Sequence, residues 1–128
     1  MTVGIHTVNL ANKWLGILRG TAFTAPSGIY IQLHKGDPGG AGTANLSAVT
    51  TRALATFAAP ASGAIALTGT NPSWTMTATE TITHISVWDA STGGNFLWSA
   101  VLAASKNVQS GDTLTLTTCG LSLGALAA

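Results

Sequence analysis

Residues 29–34, IYIQLH, set Ile29, Ile31 and Leu33 against Tyr30, Gln32 and His34. That is the two-residue period of a strand with one face in a core and one in solvent. Shorter runs of the same kind fall at RALATF (52–57), AIALT (64–68) and SWTMTA (73–78), parted by Pro and Gly. TITHISVWD (81–89) and NFLWSAVL (95–102) are the strongest pair. They flank ASTGG and predict a β-hairpin with an open loop. DTLTLTTC (112–119) alternates Leu with Thr after the turn SGD, and LSLGAL (121–126) repeats the pattern. Threonine at alternate positions suits the solvent face of a sheet.

One stretch follows a different period. In NLANKWLGILR, Asn9 to Arg19, Leu10, Trp14, Leu15 (or Ile17) and Leu18 recur at three- and four-residue spacing, a helical stripe. Asn9 is placed to cap its start, Gly20 to end it, and Arg19 to complement the dipole of its last turn. Gly16 weakens such a helix by up to ~1 kcal/mol, so packing must hold it. Seven or eight short strands behind one N-terminal α-helix predict an all-β fold, a β-sandwich or jelly-roll-like domain. The expected organisation is a single domain, 1–128, with the helix at 9–19 and the sandwich at 29–126.

Composition narrows the function. Only 7% of the 128 residues are charged and the net charge is +1, against roughly 25% charged in ordinary domains. No basic field exists to draw in nucleic acid or anionic lipid. Ala53 to Thr79 carries no charge, and neither does the chain after Asp112. Neutral Thr, Ser, Asn and Gly must cover the surface, or partners must. Mean hydropathy is positive, yet Pro60, Ser62, Gly63, Gly69, Asn71 and Pro72 interrupt the uncharged run, and no apolar span near 20 residues exists. The N-terminus lacks a signal-peptide pattern, so the chain reads as soluble, with no membrane partner. Cys119, the single cysteine, reads as a small buried hydrophobe.

HKGDPGGAGTAN, residues 34–45, is the stretch richest in apparent chemistry. A phosphate loop needs Lys and Ser/Thr after its last glycine, leading into a helix; here Thr43 and Ala44 follow Gly42. Collagen needs the Gly triplet sustained, and Gly36, Gly39 and Gly42 keep it for barely two repeats. The stretch reads as an Asp-Pro-Gly turn at an exposed loop tip, Gly36, Asp37, Pro38, Gly39 and Gly40. His6, His34 and His84 are far apart, and no metal-ligand spacing is present. Asp37, Asp89 and Asp112 stand at turn positions, where Asp caps its own backbone. No nucleophile elbow surrounds any serine. Neither catalytic nor metal residues nor a cofactor are expected. Trp14, Trp74, Trp88 and Trp98 either stack on sugars or pack in the core and between subunits. Trp14, Leu15, Leu18, Trp88, Phe96 and Trp98 are the candidate interface residues.

The order of motifs resembles a known family. The helix of ANKWLGILRGTAFTAP leads to a strand ending in LHKGDPGGAGTAN, Arg52 opens the next strand, and THISVWDASTGGNFLWSAVLAASKNVQSGDTLTLTT follows. From about Asn9 to Thr118 this is similar to small tailed-bacteriophage virion proteins, labelled phage tail fibre or head decoration proteins. The resemblance implies a non-enzymatic structural protein of the particle. A fibre reaching a receptor needs a shaft, which 128 residues do not supply, whereas many copies of a compact neutral domain suit a preformed shell. The expected function is therefore capsid decoration on the outer surface of the head. The expected partners are other copies of itself, with a trimer favoured, and the major capsid protein. The alternatives are a tail-tip or tail-fibre component contacting tail proteins and host surface, and a carbohydrate-binding module with a host-surface glycan as ligand. Under the decoration reading the helix stripe (Trp14, Leu15, Leu18) either completes the sandwich or docks on a neighbour.

Overall fold

The computed structural model describes residues 3–124 and 127. Eight strands follow a short helical segment: β1 (Ile29–His34), β2 (Ala53–Ala55), β3 (Ala64–Ala66), β4 (Ser73–Thr75), β5 (Glu80–Trp88), β6 (Phe96–Val108), β7 (Thr113–Thr115) and β8 (Gly120–Ser122). All pairings are antiparallel. A four-stranded sheet has the order β2-β1-β5-β6, and two separate ribbons pair β3 with β8 and β4 with β7. The architecture is mostly β and sandwich-like, with no barrel. The layer facing the large sheet is two ribbons and not a second continuous sheet. Of the expected last strand, Gly120–Ser122 forms, while Ala125 and Leu126 lie outside the described residues.

Directly paired residues share a sheet face, so the register sorts the side chains. Ile31 pairs with Ala53 and Val87, Leu33 with Ile85, and Val87 with Trp98. This face packs with Trp74 and Met76 into one buried cluster, joined by the half-buried Leu114, Leu116 and Leu121. Hydrophobic burial of this kind stabilises by about 1.5–3 kcal/mol per large side chain.

The other face departs from expectation. Gln32 pairs with Ser86, and Ser86 with Ser99, yet all three are buried, as are His34 and Trp88. The strict alternation of β1 predicted solvent here. The difference arises because two loops fold over this face. The loop after β1 closes with Lys35 N–H donating to Asn45 O (2.7 Å) and an isolated bridge between His34 and Leu46. Asp37 Oδ1 accepts from Gly39 N–H (2.8 Å), so the expected Asp turn is present. The loop is not an exposed tip, however. Pro38 is fully buried, Gly36, Asp37 and Gly39 are half-buried, and of the five expected tip residues Gly40 alone is exposed.

Gly42 explains how the loop lies so close. It is buried at φ +72°, and a Cβ there would stand 2.6 Å from Phe96 Cδ1 and 3.0 Å from Trp88 Cζ2. Both the left-handed backbone and the missing side chain are needed.

The N-terminal helical segment starts earlier than its periodicity suggests. A π-helical turn spans Thr7–Ala11, and the α-helix α1 spans Asn12–Ile17. His6, not Asn9, caps it: His6 Nδ1 accepts from Asn9 N–H (3.1 Å), and the Asn9 amide donates to Phe96 O (2.9 Å). Gly20, at φ +86°, ends the segment as expected. Leu10 is buried and Trp14 half-buried, but Leu15, Ile17 and Leu18 face out.

Gly42→Ala should destabilise the protein by about 2–4 kcal/mol, from left-handed strain plus overpacking. An insertion between Gly40 and Ala41, both exposed, should be far milder. Thermal melts of the two variants check this pair of expectations.

Candidate functional site

The chemistry-bearing residues gather on the covered sheet face, between the 35–45 loop and the β5–β6 hairpin loop. His34 Nδ1 lies 2.7 Å from Ala44 O. A carbonyl only accepts, so Nδ1 carries the proton. His34 Nε2 then accepts from the Ser86 hydroxyl (2.7 Å), and Ser86 Oγ accepts from Trp88 Nε1–H (2.8 Å). This is a closed relay from Trp88 through Ser86 and His34 to the loop. Serine and histidine at hydrogen-bond distance resemble a nucleophile with its base. Here both side chains have 0% exposure, so no substrate reaches them; the pair is a structural tie. Burial lowers the His34 pKa below the usual histidine value, partly opposed by the Ala44 carbonyl and reinforced by the charge of His84.

Arg52 closes the same face from outside. Its guanidinium sits over the Trp88 ring, 3.9 Å from the centroid, a cation–π contact. Its Nε donates to Gln32 Oε1 (3.2 Å), and one terminal nitrogen donates to Ala90 O (2.9 Å) and Gly93 O (2.7 Å). Gln32 in turn donates to Thr50 O (3.1 Å). The hairpin loop is fixed by Asp89, which accepts from both the backbone and side-chain amides of Asn95 (2.7 and 2.8 Å). Desolvation lowers the Arg52 pKa, with the charge of Asp89 acting the other way.

The remaining acids are engaged in the same manner. Glu80 accepts from the Ser47 hydroxyl and from Ala48 N–H (3.1 Å), and Asp112 accepts from Gln109 N–H (2.8 Å). Among the described residues no group of three or more His, Cys, Asp or Glu comes together to hold a metal. Cys119 is half-buried, and burial pushes its thiol up to about 11. Trp98 Nε1 is a buried donor with no partner among the described residues.

Three of the six interface candidates lie within the fold. Trp88, Phe96 and Trp98 are 6%, 5% and 4% exposed, so they cannot dock on a neighbour or stack on a sugar from this conformation. Periodicity missed this because the loops that cover Trp88 and Phe96 have no periodic signal. The other three sit together on the N-terminal segment. Leu15 and Leu18 are 63% and 85% exposed. Trp14 lines an apolar groove of about 210 Å³ with Pro60, Ile65, Leu121 and Leu123. The clearest sequence signal for Arg52 was its place at the opening of β2; its stacking on Trp88 had none.

A β-rich scaffold emerges, with its acids bonded within the fold and, among the described residues, Val8, Leu15, Ile17 and Leu18 of the helical segment left exposed. The family model described as Podophage GP4 fiber I protein gp80 matches residues 6–124, and the chain belongs to that family. It is accordingly a structural protein of a bacteriophage virion. No curated protein matches the chain.

The His34 relay makes stability depend on pH. With the folded-state pKa below the unfolded value of about 6.5, the unfolded chain binds the proton more readily. Stability should be complete above pH 6.5, decline as pH falls through 6.5 toward the folded pKa, and level off below it. Melting temperatures between pH 5 and 8 check this. His34→Gln should flatten the dependence while lowering the melting temperature at pH 8.

Proposed function

We propose that the chain is a fibre component in the tail of a podophage particle, acting by assembly and not by catalysis. The match of residues 6–124 to a podophage fibre family carries this reading. It favours the tail-fibre alternative over the capsid decoration expected from size and charge. The argument for decoration was that a short chain supplies no shaft, but a fibre can be built from several chains, each a compact unit joined to others. Copies of this chain associate with one another and with tail proteins in such a fibre. The surface chemistry supports an assembling role, because the described acids and the aromatics on the covered face are engaged inside the fold. The carbohydrate-module reading depended on exposed Trp88 and Trp98, and both are buried.

Gold-labelled antibody against the chain, viewed on intact particles by electron microscopy, should mark the tail end. Label spread over the head would restore capsid decoration as the function.

A further inference from the structure

We propose that the hollow between the chain leading into β2 and the β5–β6 hairpin loop binds a sugar acid, a carboxylate carried on a polyhydroxylated ring, with Arg52 as its principal donor. The proposal does not depend on where the chain sits in the particle. A guanidinium has five N–H donors. Three are spent within the fold: Nε–H on Gln32 Oε1, and one terminal nitrogen on Ala90 O and Gly93 O. The two N–H of the other terminal nitrogen meet no acceptor among the described residues. The guanidinium is also stacked 3.9 Å from the Trp88 centroid. Its free donors are therefore held in place before any ligand arrives, which lowers the ordering cost of binding.

The surroundings supply further partners. The hollow has a volume of about 510 Å³, and Thr50, Thr51, Ser91 and Thr92 line it with Arg52 and Gly93. That volume lies within the roughly 300–1,000 Å³ of small-molecule sites. All four hydroxyl residues are exposed. Thr50 and Thr51 accept from Gln32 and Trp74 through their backbone carbonyls, and among the described residues none of the four hydroxyls has a partner. A hydroxyl both donates and accepts, so these walls match the hydroxyls of a sugar.

Charge and geometry narrow the ligand. The two free N–H diverge from one nitrogen, and the donors that would complete a two-pronged grip on one carboxylate are already used. One N–H is left for a carboxylate oxygen and the other for a hydroxyl or ring oxygen of the same ligand. Asp89 remains charged and its field reaches Arg52, although its oxygens are bonded to Asn95. It opposes a bare anion, so charge alone binds weakly. A neutral sugar forgoes the charge-assisted bond. A sugar acid uses both the cation and the hydroxyls. Trp88 is buried and offers no stacking platform, so recognition rests on hydrogen bonds.

The test titrates galacturonate, galactose and acetate into the intact chain, followed by proton–nitrogen NMR with the Arg52 Nε–H signal included. Galacturonate should bind saturably, in the millimolar range expected of a ligand its size, and shift Thr51, Arg52, Ser91, Thr92 and Gly93. Galactose and acetate should each bind at least about tenfold more weakly. The double variant Thr51→Val/Thr92→Val leaves the bonds of Arg52 in place. It should lose about fivefold or more in galacturonate affinity while melting like the wild type. Thr75→Val, on the exposed side of β4, should bind as the wild type does. Trigalacturonate that shifts the same residues and binds at least as tightly would support a polysaccharide as the source of the ligand. Binding of the monomer alone would support a free sugar acid. Acetate bound as well as galacturonate would reduce the site to a simple carboxylate contact, open to an Asp or Glu of a neighbouring protein, and overturn the proposal. Galactose bound as well as galacturonate, shifts centred elsewhere, or an unchanged affinity in the double variant would overturn it too.

Discussion

One buried line of hydrogen bonds organises this protein. It runs from Trp88 Nε1–H to Ser86 Oγ, from the Ser86 hydroxyl to His34 Nε2, and from His34 Nδ1–H to Ala44 O. The His34, Ser86 and Trp88 side chains are out of water, and an unmade bond there would carry a penalty of about 1–3 kcal/mol. The relay therefore fixes three things together: the histidine tautomer, the Trp88 ring and the position of the glycine-rich loop. Gly42 rests on the Trp88 and Phe96 rings that the relay and the register hold in place. Arg52 then stacks on Trp88 and ties down the hairpin loop through Ala90 and Gly93. A polar sheet face is thereby converted into a second buried layer, without metal ligands or disulfides among the described residues.

That arrangement decides what is left for partners. Serine, histidine and glutamine on the covered face bond to one another, to Arg52 or to the backbone, and the acids hold turns or the backbone beside them. Three of the four tryptophans are buried. The prominent unsatisfied feature is aliphatic, the exposed Leu15, Ile17 and Leu18 of the N-terminal segment. A chain of low charge that keeps its polar chemistry inside and offers one apolar helix face is suited to a fixed place in an assembly, as membership of a podophage fibre family implies.

Much of this was legible in sequence, and the rest was hidden for identifiable reasons. The alternation in 29–34 and 81–89 gave the central strands, ASTGG gave the hairpin, and Gly20 marked the end of the helical segment. Asp37, Asp89 and Asp112 bond to nearby backbone amides, as residues of that type at turns should. Period two, however, says only that Gln32 and His34 oppose Ile31 and Leu33. It does not say whether a loop will cover them, because that depends on contacts between Ala44 and His34 or Arg52 and Trp88, far apart in sequence. The glycine-rich loop was misplaced for the same reason: its turn chemistry is local, but its burial is set by Phe96. The helix stripe was read correctly as hydrophobic, and only the structure shows that Leu10 and Trp14 turn inward while Leu15 and Leu18 do not.

The relay's hold on the loop is tested most directly by hydrogen–deuterium exchange of Ser86→Ala against the wild type. With the hydroxyl gone, His34 Nε2 and Trp88 Nε1 both lose their partner. The Lys35 and Ala44 amides, each bonded within the closed loop, should exchange at least about tenfold faster, since a lost stabilisation of 1.4 kcal/mol is tenfold in an opening equilibrium. The amides of the β4–β7 ribbon should change less. Protection of the loop equal to that of the wild type would show that the loop is held by its own turns, and would contradict the account.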